Sequence, residues 1–202
     1  MGTSAGDPVS YQADDAALIA QAQAGDVGAF DQLVLRHQQM VFAVALRMLG
    51  DRDDAQDVAQ DAFVRAYQSF KSFRRDAKLS TWLVSITMNL CRNRRRWWAR
   101  RKRVIVASID DPVETGEGNI AHDVADPSPS PAAAVERRER QRLLMATLQT
   151  LDQHDREVIV LRDIQGYSYE EIAHALGCQV GTVKSRLNRA RFTLRARLDG
   201  KL

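Results

Sequence analysis

Apolar residues recur every three or four positions along most of this chain, the spacing of one buried helix face. Leu18, Ile19 and Ala22 begin a short helix that Gly25 ends. Phe30, Leu33, Val34, Met40, Val41, Val44, Ala45 and Met48 mark a second, closed by Gly50, and Asp51 is placed to cap a third. That third helix, over about 54–70, turns Ala55, Val58, Ala62 and Ala66 inward. A polar loop, KSFRRDAK, follows, and Ser80 is the expected cap of a fourth helix over about 81–102. Leu83, Ile86, Leu90 and Cys91 line its buried side, but its tail has no apolar stripe.

The periodicity then stops. Residues 104–134 hold four of the five prolines and six acids, with no Lys or Arg, the composition of a flexible linker. Helical spacing resumes over 135–151. Asp152 is placed to cap a further helix with Val158, Ile159 and Leu161 buried and Gly166 as its stop. Ser168 with Glu171 three residues on is a capping box that starts a helix over Tyr169–Leu176. The only extended β-branched run, Val104-Ile105-Val106, is too short for a sheet. The expected fold is therefore all-α: a disordered tail over 1–13, a helical domain over 14–103, the acidic linker over 104–134 and a second helical domain over 135–202.

The second domain closes on a helix-turn-helix pattern. Gly177 supplies the left-handed residue that ends one helix, and a few residues turn the corner. Ala173 sits where crossing helices come closest, while Ile172, Leu176, Val183 and Leu187 form the shared core. Lys184, Ser185, Asn188, Arg189 and Arg191 project away from the line Val183, Leu187, Ala190 and Leu194. Between 184 and 201 seven Lys/Arg stand against one acid, Asp199. An ordinary solvated hairpin mixes signs, whereas this excess repels itself unless phosphates neutralise it. Hydroxyl, amine, amide and guanidinium near the start of such a helix are the groups that read base edges in a major groove.

The net charge of +3 conceals blocks. Residues 1–91 carry 8 Lys/Arg against 11 Asp/Glu, and residues 92–103, RNRRRWWARRKR, carry 8 against none. Eight cations in 12 residues point to an anionic partner. Asn89, Arg92, Asn93 and Arg96 share one helix side. Two readings of Trp97 and Trp98 stay open: stacking on the bases of a single strand, or covering the neighbouring helix. The loop FRRDAKLSTW over 73–82 offers both stacking and hydrogen-bonding groups, as an extruded base requires.

Other chemistries fit poorly. Cys91 and Cys178 lie far apart with no CxxC, so they read as small buried residues and no metal or cofactor is expected. A calcium loop in DRDDAQDVAQDA fails because Gln56 stands at the sharp-turn glycine position and Ala62 at that of the bidentate Glu. No secretory succession opens the chain and no run of about 18 apolar residues exists, so a cytoplasmic protein without membrane insertion is expected.

Two segments, DAQDVAQDAFVRAYQSFKSFRRDAKLSTWLVSITMN over 54–89 and LDQHDREVIVLRDIQGYSYEEIAHALGCQVGTVKSRLNRAR over 151–191, resemble the extracytoplasmic function sigma factors, small dissociable specificity subunits of bacterial RNA polymerase. The resemblance implies a non-enzymatic subunit that binds core polymerase and promoter DNA. Asp57, Gln60 and Asp61 would meet the clamp of the largest polymerase subunit, and the second domain would sit near the flap of the second-largest. Phe73, Arg74, Arg75, Asp76 and Lys78 would belong to the loop that captures a flipped −10 base, with Asn89, Arg92, Asn93 and Arg96 beside it. Thr182, Lys184, Ser185, Asn188, Arg189 and Arg191 would face the −35 element. An anti-sigma factor is a further implied partner. The chain departs from the family at Gln179, a turn position often Ser or Pro, and in the unusually basic run RRRWWARRKR. An autonomous helix-turn-helix regulator would leave the acidic face of the third helix without a role. A nuclease or recombinase would need its carboxylates on what reads as a partner-facing helix.

Overall fold

The computed structural model describes residues 10–106 and 131–198, so residues 1–9 of the expected tail over 1–13 and most of the expected linker lie outside these, while residues 10–13 of that tail are helical. Every regular element among the described residues is helical: α1 (Ser10–Gln23), α2 (Val27–Leu49), α3 (Arg52–Ser69), α4 (Leu79–Val106), α5 (Pro131–Gln149), α6 (Gln153–Ile159), α7 (Tyr169–Leu176) and α8 (Val180–Leu198). A 3₁₀ turn over Phe70–Ser72 follows α3, and α6 runs on into a π turn over Val160–Ile164. Helix α1 starts ahead of its expected position, while α4 and α5 reach into both ends of the segment read as linker.

The caps are those the sequence placed. The Asp51 carboxylate accepts from the Asp54 amide at 2.8 Å. Ser168 and Glu171 form a reciprocal capping box, with distances of 3.1 and 2.8 Å. Ser80 is an exception, because α4 begins at Leu79 and takes Ser80 into its first turn. Gly50 ends α2 at φ +80°, and a Cβ there would come within 2.7 Å of the Gln149 side chain. The positive φ favours glycine there, and a Cβ would in addition displace the Gln149 side chain from its hydrogen bonds.

Most predicted core positions are buried: Phe30, Leu33, Val41, Val44, Ala45 and Met48 from α2, Ala55, Val58, Ala62 and Ala66 from α3, and Leu83, Leu90 and Cys91 from α4, whereas Val34, Met40 and Ile86 are half-buried at the edge of the cluster. In the C-terminal half, Val158, Ile159, Leu161, Ile172, Val183 and Leu187 are buried in the same way. These two sets form one continuous apolar cluster. The halves pack on each other directly, chiefly through α4 on α7 and α5 on α2.

A polar joint lies inside that contact. Arg156 is fully buried. Its guanidinium donates to the carbonyls of Leu148 (2.7 Å), Met48 (2.8 Å), Gln149 (2.6 Å) and Leu151 (3.0 Å), and to Gln149 Oε1 (2.6 Å). Met48 lies at the carboxyl end of α2, while Leu148 and Gln149 end α5, so one cation satisfies the open carbonyls of two helices where their dipoles are negative. Gln149 Nε2 donates to the Arg47 carbonyl at 3.1 Å, and Arg95 Nη1 to the Met48 carbonyl at 3.1 Å.

Candidate nucleic-acid interface

Helix α8 presents the expected row. Lys184, Ser185, Asn188, Arg189 and Arg191 are exposed and Thr182 is half-buried, opposite the buried Val183, Leu187 and Ala190. Two of the cations are tied to acids of their own half. Arg189 donates from Nε (2.9 Å) and Nη2 to Asp155, and Arg191 from Nε (3.0 Å) and Nη2 to Asp163 in the π turn. The hydrogen-bonded carboxylate raises the pKa of Arg189 further. Gly177 takes φ +64°, as the turn between α7 and α8 requires.

The loop over 73–78 rests on an aromatic floor. Phe73 is buried and its ring lies 4.9 Å from that of Trp82 and 6.2 Å from that of Phe70, so it anchors the loop from below. Arg74, Arg75 and Asp76 are exposed above it. Arg75 adopts φ +61°, the left-handed region that non-glycine residues rarely enter, and Nη2 donates to Gln23 Oε1 at 3.1 Å. Such local strain is stored where neighbouring structure enforces it, often at binding sites. Next to the loop a cleft of about 950 Å³ opens between the halves, bordered by Asp15, His37, Lys78, Tyr167, Glu171 and His174.

On α4 the expected ladder is present. Arg92 Nη1 donates to Asn89 Oδ1 (3.2 Å), and Arg96 Nη2 donates to Asn93 Oδ1 (2.8 Å). The basic block does not act as a unit, however. Arg92 forms a two-pronged pair with Glu157 of α6, at 2.7 and 2.8 Å. Arg94 turns the other way, donating to Asp54 (2.7 Å) and Asp57 (2.8 Å) on α3, and Trp98 Nε1 donates to Asp54 at 3.0 Å. Trp98 therefore covers the neighbouring helix, although it and Trp97 remain 48% and 41% exposed. Their rings meet edge to face at 5.1 Å, and Arg101 lies over that of Trp97.

On α3, Asp57, Gln60 and Asp61 are exposed together on the side away from Ala55, Val58 and Ala62. Val64, one turn further along the same side, is 54% exposed. The sequence reading missed the acids that receive the cations: Asp54, Asp155, Glu157, Asp163 and Glu171. Arg156 and Glu157 beside the apolar run VIVL did carry a signal, as charges on the inward side of a helix.

Burial pushes the Glu157 carboxyl up, but the Arg92 hydrogen bonds and charge, with Gln153 and His154, outweigh it and hold the group below the ordinary range. Glu171 behaves alike: burial raises it, while the Ser168 amide and Lys78, 2.9 Å away, bring it down. Carboxyls depressed by folding stabilise the fold above their unfolded value of about 4.5, and that stability is lost as pH falls through the lower folded values. The melting temperature is expected to hold at neutral pH and fall below about pH 4.5, with a smaller fall in Glu157→Gln; equal acid sensitivity in parent and variant would refute this. Burial, then the Glu157 charge, pushes the Cys91 thiol up to about 12, so it stays protonated and inert. Among the described residues no group of three or more His, Cys, Asp or Glu could hold a metal ion. No helix among them is long and apolar enough to cross a membrane.

An exposed acidic face on α3, a polar and basic ladder on α4 and a helix-turn-helix occur in one chain. The Sigma-70 region 2 family matches residues 33–103 and the Sigma-70 region 4 family matches 141–194. The RNA polymerase sigma-H factor of Pseudomonas aeruginosa is 38% identical over 180 residues, 89% of this chain and 91% of the relative. The ECF RNA polymerase sigma-E factor of Escherichia coli K12 is 34% identical, over 91% of this chain and 93% of the relative. Among solved structures, CnrH in complex with the cytosolic domain of CnrY matches with a TM-score of 0.65 and 33% identity, covering 93% of this chain and 99% of that one. The sigma factor RpoE in complex with the anti-sigma factor NepR, from Bartonella quintana, matches with a TM-score of 0.63 and 28% identity, covering 86% and 98%. The chain belongs to the extracytoplasmic function sigma factors of the sigma-70 family.

Proposed function

We propose that this chain binds core RNA polymerase, directs it to a set of promoters and takes part in strand opening, without catalysis of its own. The N-terminal unit, 14–103, docks to polymerase through Asp57, Gln60 and Asp61, whose carboxylates and amide suit a basic helix on the clamp. It engages the −10 element with Arg74, Arg75, Asp76 and Lys78, carried on the loop that the buried Phe73 anchors and does not itself expose, and with the ladder Asn89, Arg92, Asn93 and Arg96. The C-terminal unit, 135–202, reads the −35 element with Thr182, Lys184, Ser185, Asn188, Arg189 and Arg191, near the flap of the second-largest subunit. The linker over 104–134 joins them, and the chain works in the cytoplasm. The observation that carries this reading is the exposed polar and basic row on α8 in the same molecule as the α4 ladder.

The neighbour from Bartonella quintana is captured with an anti-sigma factor, and a partner of that class is proposed here too. Run-off transcription with core polymerase and this chain as the sole sigma factor tests the function. Promoter-specific transcripts are expected. Tight duplex binding by the chain alone, with no transcript in the presence of polymerase, would favour an autonomous regulator.

A further inference from the structure

The C-terminal half holds two carboxylates against cations assigned above to the −10 site. Glu157, fully buried on α6, grips Arg92 with both oxygens, and Glu171, at the start of α7, takes the Lys78 ammonium at 2.9 Å. Both pairs cross between the halves, beside the joint that Arg156 makes with α2. A guanidinium engaged through Nε and Nη2 by two oxygens presents the geometry it would offer a phosphate.

We propose that Glu157 and Glu171 stand in for strand phosphates, so that the helix-turn-helix half seals the −10 site of its own chain until the halves part. This inference rests on the assignment of Arg92 and Lys78 to that site. Separation also follows from the proposed function, which sets the two units on separate promoter elements, whereas here Arg92 and Glu157 touch. Opening replaces two protein carboxylates with phosphates on the same cations. The exchange leaves the charge at Arg92 and Lys78 compensated in both states, which lets a modest bias from polymerase or DNA shift the balance.

The test uses the full chain without polymerase, the probe being a fluorescein-labelled single-stranded oligodeoxynucleotide of mixed sequence. Glu157→Gln/Glu171→Gln keeps both side-chain shapes and the capping box but removes both negative charges. It is expected to show a larger radius of gyration by small-angle scattering and to bind the strand about tenfold tighter, as when a competent state rises from a tenth of the population to nearly all of it. Arg92→Ala is expected to expand alike yet bind no tighter. The exchanged pair Arg92→Glu/Glu157→Arg is expected to stay as compact as the parent and bind the strand weakly, which guards against mere unfolding. A double Gln variant that stays compact, or that expands without gaining affinity, overturns the proposal. Run-off transcription by the parent separates the two claims: if it fails while these shifts occur, the seal stands and the promoter assignment falls. If it succeeds while they do not, the seal alone is lost.

Discussion

Arg156→Ala lowers the unfolding free energy by about 3 kcal/mol or more, because the Leu148, Gln149 and Leu151 carbonyls lose the guanidinium that pairs them and the Met48 carbonyl keeps only Arg95. For a chain of this size that is a melting temperature lower by roughly 6–12 °C. The loss follows from where the side chain ends: Met48 closes α2 and Leu148 lies in the last turn of α5, so a fully buried guanidinium serves carbonyls that the helices leave open. Arg156→Lys should restore only part of the stability, since one ammonium cannot span acceptors that a planar fork reaches in several directions. Differential scanning calorimetry of the three proteins decides it. An alanine variant that melts within a degree or two of the parent would show that the joint contributes little.

The second large effect divides the molecule by function. Arg189→Ala is expected to weaken −35 duplex recognition in the holoenzyme by about 1–3 kcal/mol and to leave polymerase binding intact. Because Asp155 is buried and receives that guanidinium, Asp155→Asn accompanies the substitution to avoid an orphaned carboxylate. Asp61→Arg should do the reverse, abolishing capture of core polymerase by repulsion from a basic partner while free-chain folding is unchanged, since Asp61 is exposed. Native gels with core polymerase and anisotropy with duplex DNA read the two losses separately. Should both variants lose the same function, the division of labour is wrong.

The helices were legible because they obey local rules: glycines at 25, 50, 166 and 177 all adopt positive φ, and Asp51, Asp152 and Ser168 all cap. Ser80 misled because a hydroxyl near a helix start resembles a cap whether it stands before the first turn or within it. The basic block was harder. Successive residues of a helix are turned by about 100°, so Arg92, Arg94 and Arg95 face three different neighbours: α6, α3 and the end of α2. Clustering along the sequence showed the charge but not its distribution. Nor does spacing of three or four reveal a pair such as Arg92 and Glu157, set 65 positions apart. The available signal was Arg156 and Glu157 directly before the buried run VIVL, since charges taken into a core must be paired.

The carboxylates behind Arg189 and Arg191 bear on how binding responds to ionic strength. Each acid takes both the Nε and Nη2 of its arginine, so the fork keeps its aim while much of its charge is already balanced. Counterion release from duplex scales with the positive charge a protein brings to the backbone. If α8 reads the −35 element as proposed, the dependence of duplex affinity on salt is expected to be shallower than the number of cations on α8 implies.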